Sequence, residues 1–394
     1  MQSACETVPL RDTPRELALG QVAILAGSAF WLLFSEILSL PVSSTHAIVG
    51  STLGFTLFLR GTQGVHWVTT TQILVSWILT PFASGMLSST LYMLIDHLVL
   101  RRRGSHELAF TYLPLFYFVV VSVNCYILIY NGLPGIPESI LWTEPVNILV
   151  SICVGLIAAL LAEVLQKPRL RKTLSPLPFM DRFTASPTPK GMFHDVWESR
   201  SAELLSPVEK EKRGRIFTFF HWLLPDKTRH DDSSTLRLFD TLRVITSIYA
   251  AFAEGAQDVS NSIAPLTALV ALYKGDFDQS EPTPSYVLML GVFAIGVGMW
   301  FLSDGREHTA EFTPVSGLCV EFGAATTSLF TTQAGMPVSY EHLLFGSAFA
   351  VGHLKSGEHF EWPGMRNIAF SWIVTFPACG ILSAVVMYAL KAFL

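Results

Sequence analysis

The sequence predicts an all-α polytopic membrane protein made of two inverted-type repeats with broken or re-entrant helices, the first repeat truncated. Three observations predict it. Of the 394 residues, 51% are hydrophobic and only 14% charged, where soluble domains carry roughly a quarter charged residues. Apolar runs near the roughly 20 residues needed to cross a hydrocarbon core recur along the chain. A polar motif that begins at Leu40 returns at Met336, and internal repetition of this kind defines an architecture.

In chain order the expected spans are Leu17–Leu38, Ile73–Leu100, Ala109–Tyr130, Val146–Leu165, Thr241–Tyr273, Tyr286–Leu302, Val315–Thr332 and Ile368–Leu390. Pro41–Leu59 and Pro337–His353 are shorter and begin on polar motifs, which suits re-entrant or broken helices. Met1 to Glu16 is mixed and polar, without the apolar core of a secretory signal. Cys125, Cys153, Cys319 and Cys379 sit inside apolar runs and Cys5 stands apart. They have neither metal spacing nor a disulfide pattern, and read as small buried apolar residues.

Charge gives an orientation. Arg101–Arg103 follow one span, and Lys167, Arg169, Arg171 and Lys172 follow the span two later, so both clusters share a face. Asn131–Pro145 between them has no Lys or Arg. The positive-inside rule puts the basic ends in the cytoplasm. The expected organisation is a truncated first repeat over 1–100, connecting helices over 101–165, a basic cytoplasmic loop over 166–237 and a second repeat over 238–394. The loop is rich in charge, Ser and Pro (Ser186-Pro-Thr-Pro-Lys190, Glu209-Lys-Glu-Lys-Arg213) and reads as a flexible linker. Its apolar island Ile216–Leu224 reads equally as an interfacial helix or a collapsed loop.

The repeat spans three adjacent segments. Leu40-Pro-Val-Ser-Ser-Thr-His46 matches Met336-Pro-Val-Ser-Tyr-Glu-His342, with Gly50-Ser51 and Gly346-Ser347 following in register. Ser76-Trp-Ile-Leu-Thr80, Gly85 and Leu87-Ser88 match Ser371-Trp-Ile-Val-Thr375, Gly380 and Leu382-Ser383. Upstream, Gly27 and Ala29 match Gly323 and Ala325. Two homologous halves with a site at their junction is a transporter arrangement. The spacing carries the counterpart of Asp258 to a point before residue 1, so the first copy is expected to begin after its own ion-site helix.

The chemistry concentrates in Glu254-Gly-Ala-Gln-Asp-Val-Ser-Asn-Ser-Ile-Ala-Pro265, between the apolar runs Val244–Phe252 and Leu266–Tyr273. A carboxylate at the middle of a membrane helix costs about 2.5–3.5 kcal/mol on the mildest scale, which makes it a functional candidate by default. Asp258 and Asn261, three residues apart, share a helix face. Gln257 and Ser260 flank them, and Gly255 and Pro265 are expected to interrupt the helix. The competing reading is a polar seam that only joins helices. Pro41-Val-Ser-Ser-Thr-His46 reads as a helix start: Pro suits an early position, and hydroxyls cap free N–H groups. Its N–H groups and dipole favour an oxyanion without any Lys or Arg. His46 and His342 close the two copies as packing or capping residues, with proton coupling the alternative. Glu321 and Glu36 lie inside apolar runs; Glu321 is the functional candidate, Glu36 an interfacial one. Asp96, His97, Asp304, Arg306 and Glu307 fall at span ends, where solvation is expected. A phosphate-cradling glycine loop, metal-spaced His/Cys set and nucleophile elbow are all missing from the sequence, which leaves an enzyme without footing.

On these residues the chain resembles the inorganic phosphate transporter (PiT) family of cation-coupled symporters. Gly255-Ala-Gln-Asp-Val-Ser-Asn261 with Ile263-Ala-Pro-Leu266 looks like that family's Gly-x-Asn-Asp-Val-x-Asn signature in its second copy. Leu40–His46 and Met336–His342 look like its paired Pro-Val-Ser motifs, and Leu113-Pro-Leu-Phe-Tyr117 and the long loop look like eukaryotic members. The resemblance implies symport of inorganic phosphate by alternating access, with sodium or a proton as coupling ion and no other cofactor. It implies phosphate at Ser43, Ser44, Thr45 and Ser339, and cation at Asp258, Asn261, Gln257 and Glu321. Its implied partners are phosphate, sodium and the lipid bilayer, with a homodimer admitted and no nucleic acid; its implied location is the plasma membrane. Gln257 stands where the signature has Asn. Tyr340-Glu341 replaces a small hydroxyl pair, setting a ring and a second negative charge beside the anion's expected place. A transport-inactive relative serving as a sensor or receptor-like protein is the second reading.

Overall fold

The computed structural model describes residues 14–38, 40, 42–130, 144–174, 222–226, 229, 231–276, 281–302, 312–333, 336, 338–356 and 362–393. Cys5, the 131–143 stretch, the loop from 175 to 221 with most of the apolar island, and Asp304, Arg306 and Glu307 lie outside the described residues. All regular structure among the described residues is helical: α1 (Pro14–Ile37), α2 (Ser44–Arg60), α3 (Trp67–Ile95), α4 (Ser105–Tyr130), α5 (Glu144–Leu161), α6 (Lys167–Leu174), α7 (Ser233–Arg237), α8 (Asp240–Lys274), α9 (Ser285–Leu302), α10 (Pro314–Gln333), α11 (Tyr340–Ser356) and α12 (Trp362–Leu390). A single π-helical turn extends α3 (Asp96–Leu100), and another joins α5 to α6 (Ala162–Gln166).

Five stretches among the described residues are long and apolar enough to cross a membrane: Pro14–Ile37, Trp67–Leu100, Ser105–Ile129, Glu144–Thr173 and Ile368–Leu390. Their outward faces carry large apolar side chains, such as Ile37, Ile78, Phe82 and Ile373, as a lipid-facing surface requires. The expected spans on α8, α9 and α10 form helices. Polar groups dilute α8 and α10, however, and the apolar part of α9 is the shorter Ser285–Phe301. α2 and α11, 17 residues each, reach about 25 Å at 1.5 Å per residue and fall short of a full crossing.

The Glu254–Pro265 stretch does not interrupt its helix: α8 runs unbroken for 35 residues with Pro265 inside it. The reason is that neighbouring hydroxyl groups meet the polar side chains of this stretch, so the backbone need not open to satisfy them.

The repeat governs packing. The short helix of each half lies in a groove of the other half's long helix, α2 on α12 and α11 on α3, and these are the two most extensive contacts between halves. Glycines let the backbones touch. A Cβ on Gly50 would stand 2.3 Å from the Phe376 carbonyl oxygen, and one on its counterpart Gly346 would stand 2.2 Å from that of Pro81. Gly27 meets the backbone of Ser383, while its counterpart Gly323 meets the Ser88 hydroxyl. Small residues at such crossings supply the close packing that lipid-solvated helices need, since no hydrophobic force drives one helix onto another in lipid. Hydroxyls add polar links: Ser88 Oγ donates to Ser347 Oγ at 2.8 Å, and Ser51 Oγ to the Cys379 carbonyl at 3.3 Å.

At the basic end, Asp96 departs from the solvation expected of it. It is 0% exposed and accepts from Arg101 Nε at 2.8 Å and from Arg229 at 2.6 Å. Arg101 also donates to the Trp222 carbonyl at 2.7 Å. A buried carboxylate is tolerable only when paired in this way. The pairing fastens the end of α3 to the segment that leads into α7 and α8. Below it, Tyr92, Phe116, Phe239, Leu242 and Leu318 close a core shared by α3, α4, α8 and α10.

The glycine contacts give a direct test. Gly346→Ala and Gly54→Ala (the latter 2.0 Å from the Gly380 carbonyl oxygen) drive a methyl into backbone. Overpacking of this kind costs about 1–3 kcal/mol or more. Gly296→Ala meets nothing within 4 Å and should fall within about 0.5 kcal/mol of the parent. The midpoint of thermal unfolding in detergent reads this out; equal midpoints for all three would contradict the interlocked packing.

Candidate functional site

The site forms where the starts of α2 and α11 meet beside the middle of α8. Ser43 is the N-cap of α2: its backbone is extended and its Oγ accepts from the His46 N–H at 3.4 Å. The same Oγ donates to Ser339 Oγ at 2.8 Å, so the equivalent residues of the two copies bond each other. Both serines are buried, at 1% and 2% exposure. Next to them Thr45 Oγ1 points at the Val338 carbonyl, 3.4 Å away.

α8 supplies the acid and amides. Ser44 Oγ donates to Asp258 Oδ1 at 2.8 Å, and Asn261 Nδ2 donates to Thr45 Oγ1 at 2.9 Å. The three-residue spacing that puts Asp258 and Asn261 on one face also matches the consecutive hydroxyls of Ser44 and Thr45 opposite. Gln257, a quarter-turn away, donates to Thr332 Oγ1 at 3.1 Å, and its Oε1 is shut from solvent without a partner among the described residues. Thus Ser43, Ser44, Thr45, Ser339, Asp258 and Asn261 form one contiguous cluster, with Gln257 at its edge.

Glu321 is not in this cluster. It bonds Ser247 Oγ, and Arg243 Nε lies 4.0 Å from its Oε1. Ser247 precedes Asp258 by eleven residues on α8, about 16 Å along the axis, so Glu321 and Asp258 cannot ligate one ion. Glu36 is exposed at the end of α1.

The departures in the second motif separate. Tyr340 is 5% exposed and packs among Ala250, Ala324, Leu329 and Leu343, away from the serines. Glu341 stays accessible and lies within electrostatic reach of Asp258 and of Glu254, one turn before it. Sequence reasoning had not assigned Glu254, Thr332 or Ser247 to any contact. The hydroxyl run Thr326–Thr332 was the available signal for Thr332.

Behind the serines the two histidines form an aromatic column. His46 and His342 stand 4.4 Å apart by ring centroids, His46 lies 3.6 Å from Trp77, and His342 3.7 Å from Trp372. The column has the order Trp–His–His–Trp, and each half contributes one Trp and one His. The four rings pack against one another and lie between the two helix starts and the long helices α3 and α12.

Oxygen ligands of carboxylate, amide and hydroxyl type suit a hard cation such as sodium, and two facing helix starts suit an oxyanion. A cluster of this kind, packed among helices long and apolar enough to cross a bilayer, is the arrangement of a membrane carrier of small ions. The chain belongs to the Phosphate transporter family, whose model matches residues 3–383, a family of transporters and not of enzymes. It is 25% identical to sodium-dependent phosphate transporter 1-B of Danio rerio, across 96% of this chain and 84% of that protein. It is 24% identical to sodium-dependent phosphate transporter 2 of Homo sapiens, across 95% and 86%. A solved structure described as the sodium-dependent phosphate transporter has the same fold, with a TM-score of 0.74 at 23% identity, over 97% of this chain and 81% of that one.

The Ser43–Ser339 bond makes a prediction of its own. Ser43→Ala removes both a cap and the cross-half bond, and should cost about 1–2 kcal/mol. Ser339→Ala should cost less, and the double variant less than the two together, because they share one bond. Full additivity in the unfolding midpoints would show that the bond carries nothing.

Proposed function

We propose that this multi-pass membrane protein carries inorganic phosphate across a membrane by sodium-coupled symport. The observation that supports this best is the joining of two equivalent helix starts, through Ser43 and Ser339, to the acid and amide of α8. The phosphate, in this reading, is taken by Ser43, Ser44, Thr45 and Ser339 at the facing N-termini, where N–H groups and dipoles favour an anion. Asp258 and Asn261 take the cation, with Gln257 beside them, and its charge offsets that of the phosphate. Glu321 forms a second, separate acidic position, where a cation would compete with Arg243.

The mechanism we infer uses the interlocked halves as inverted repeats that rock about this junction. The hydrogen bonds from Ser44 to Asp258 and from Asn261 to Thr45 link α8 to the helix start of the opposite half. Binding a cation there changes the same groups that face the anion, which is how two ions couple. Orientation follows from the basic ends of α3 and α6: the chain between α6 and α7, the larger part of the expected 166–237 loop, is cytoplasmic, in a plasma-membrane protein. The Arg101 and Arg229 bonds agree with this, since they hold the end of α3 against the chain leaving that loop. A homodimer is compatible with this reading and is not required by it. Nothing in the geometry favours the non-transporting reading over this one.

Radiolabelled phosphate uptake into cells expressing the chain, with and without sodium, tests the proposal. Sodium-dependent uptake is expected, abolished in Asp258→Asn with surface expression retained. Uptake indifferent to sodium, or undiminished by that variant, would refute the assignment of Asp258 to coupling. A Glu321→Gln variant should shift sodium dependence and keep measurable uptake, because it lies outside the cluster.

The departures at Tyr340 and Glu341 should behave oppositely. Glu341→Thr removes a carboxylate beside Asp258 and should raise phosphate affinity. Tyr340→Thr leaves a cavity in a packed core, costing about 3–5 kcal/mol, and should lower expression without improving affinity. A gain in affinity from Tyr340→Thr alone would mean that its ring faces the anion.

A further inference from the structure

A cavity of about 880 Å³ lies far from the ion site, between α4, the α5–α6 stretch and the start of α8. It is built at the basic end of the molecule. The π turn at Ala162–Gln166, where the Lys167 N–H reaches back to the Ala162 carbonyl, shifts the helical register of α6 relative to α5. Turns of this kind are frequent at functional sites.

Two guanidinium groups, Arg169 of α6 and Arg237 of α7, line the cavity. Neither makes an ion pair or a side-chain hydrogen bond among the described residues. Tyr117 is 4% exposed, and its hydroxyl has no hydrogen-bond partner among the described residues. The amide nitrogen of Gln166 is likewise shut from solvent without one. Gln166 and Thr241 stand beside the Tyr117 hydroxyl without completing a bond of normal geometry. A buried donor left unmade costs about 1–3 kcal/mol, so two in one cavity call for an acceptor. One carboxylate, Asp240, also borders the space. The remaining wall is apolar, and Leu161 and Leu165 on it are half exposed along the outer side of α5.

We propose that this cavity holds the headgroup of an anionic phospholipid. The donors are two guanidiniums, a phenol and an amide N–H, and phosphoryl oxygens accept from all of them. The leucine wall continues into the lipid-facing surface of α5, where acyl chains lie. A small soluble anion would satisfy the donors and leave that wall wet, whereas an amphiphile meets both. Basic pockets between membrane helices on the cytoplasmic side are where such headgroups bind. The site is separate from the transport cluster, and the lipid would brace α5, α6 and α8 against one another.

The test uses the full chain purified in an uncharged detergent. Native mass spectrometry and thermal unfolding are followed with added dioleoylphosphatidylglycerol, dioleoylphosphatidylcholine or inorganic phosphate. Phosphatidylglycerol should remain bound as one molecule per chain and raise the unfolding midpoint, and phosphatidylcholine should do neither. Arg169→Gln with Arg237→Gln should weaken phosphatidylglycerol binding on the order of tenfold to a hundredfold, as expected for losing charged hydrogen bonds. Tyr117→Phe, which keeps the ring and its packing, should weaken it measurably and serves if the double variant does not fold. Arg171→Gln, over the Phe110 ring outside the cavity, should bind as the parent does. Equal phosphatidylglycerol binding by the parent and the Tyr117 and arginine variants would overturn the proposal. So would stabilisation by inorganic phosphate that vanishes in the arginine variant, which would assign the cavity to a soluble anion.

Discussion

The bond between Ser43 and Ser339 is the contact on which the architecture depends. Two helix starts carry orphan N–H groups that a bilayer interior cannot solvate, and each start needs polar company from protein. In this molecule Ser43 and Ser339 each accept N–H groups of their own helix start, and their hydroxyls join the two starts to each other. That meeting sets the position of α2 and α11, their seats against α12 and α3, and the cluster to which α8 adds Asp258 and Asn261. The histidine–tryptophan column behind the serines packs the two starts against each other.

Much of this was legible in the sequence because membrane insertion makes certain residues conspicuous. A carboxylate and two amides between apolar runs, and a duplicated Pro-Val-Ser motif, are positions where the sequence accepts a cost, and the structure brings these particular side chains together. Glycines matched in register pointed to the two halves, and in the structure those same glycines sit at the crossings between them.

What was not legible was which residues meet across long separations. Nothing local in Gln257 announces Thr332, and nothing in Glu321 announces Ser247, so one acidic residue was grouped with a cluster roughly three helical turns away. Gly255 and Pro265 suggested a broken helix, but α8 stays whole, with Asp258, Asn261 and Gln257 each bonded to a hydroxyl of α2 or α10. Tyr340 sits next to a site residue in sequence, yet helical geometry turns it into a core. Asp96 looked like a solvated end residue until Arg229, 133 positions later, was seen to bury it.

The reciprocal seating of the short helices also constrains how the protein is made. Ser43 waits for a partner 296 residues downstream, which at about 5–20 residues per second of synthesis is a delay of roughly 15 to 60 seconds. During that interval α2 and α3 lack the glycine-lined seats they finally occupy, and the Ser43 hydroxyl lacks the partner it finally meets. The first half is therefore a dependent folding unit, completed only when α11 and α12 emerge.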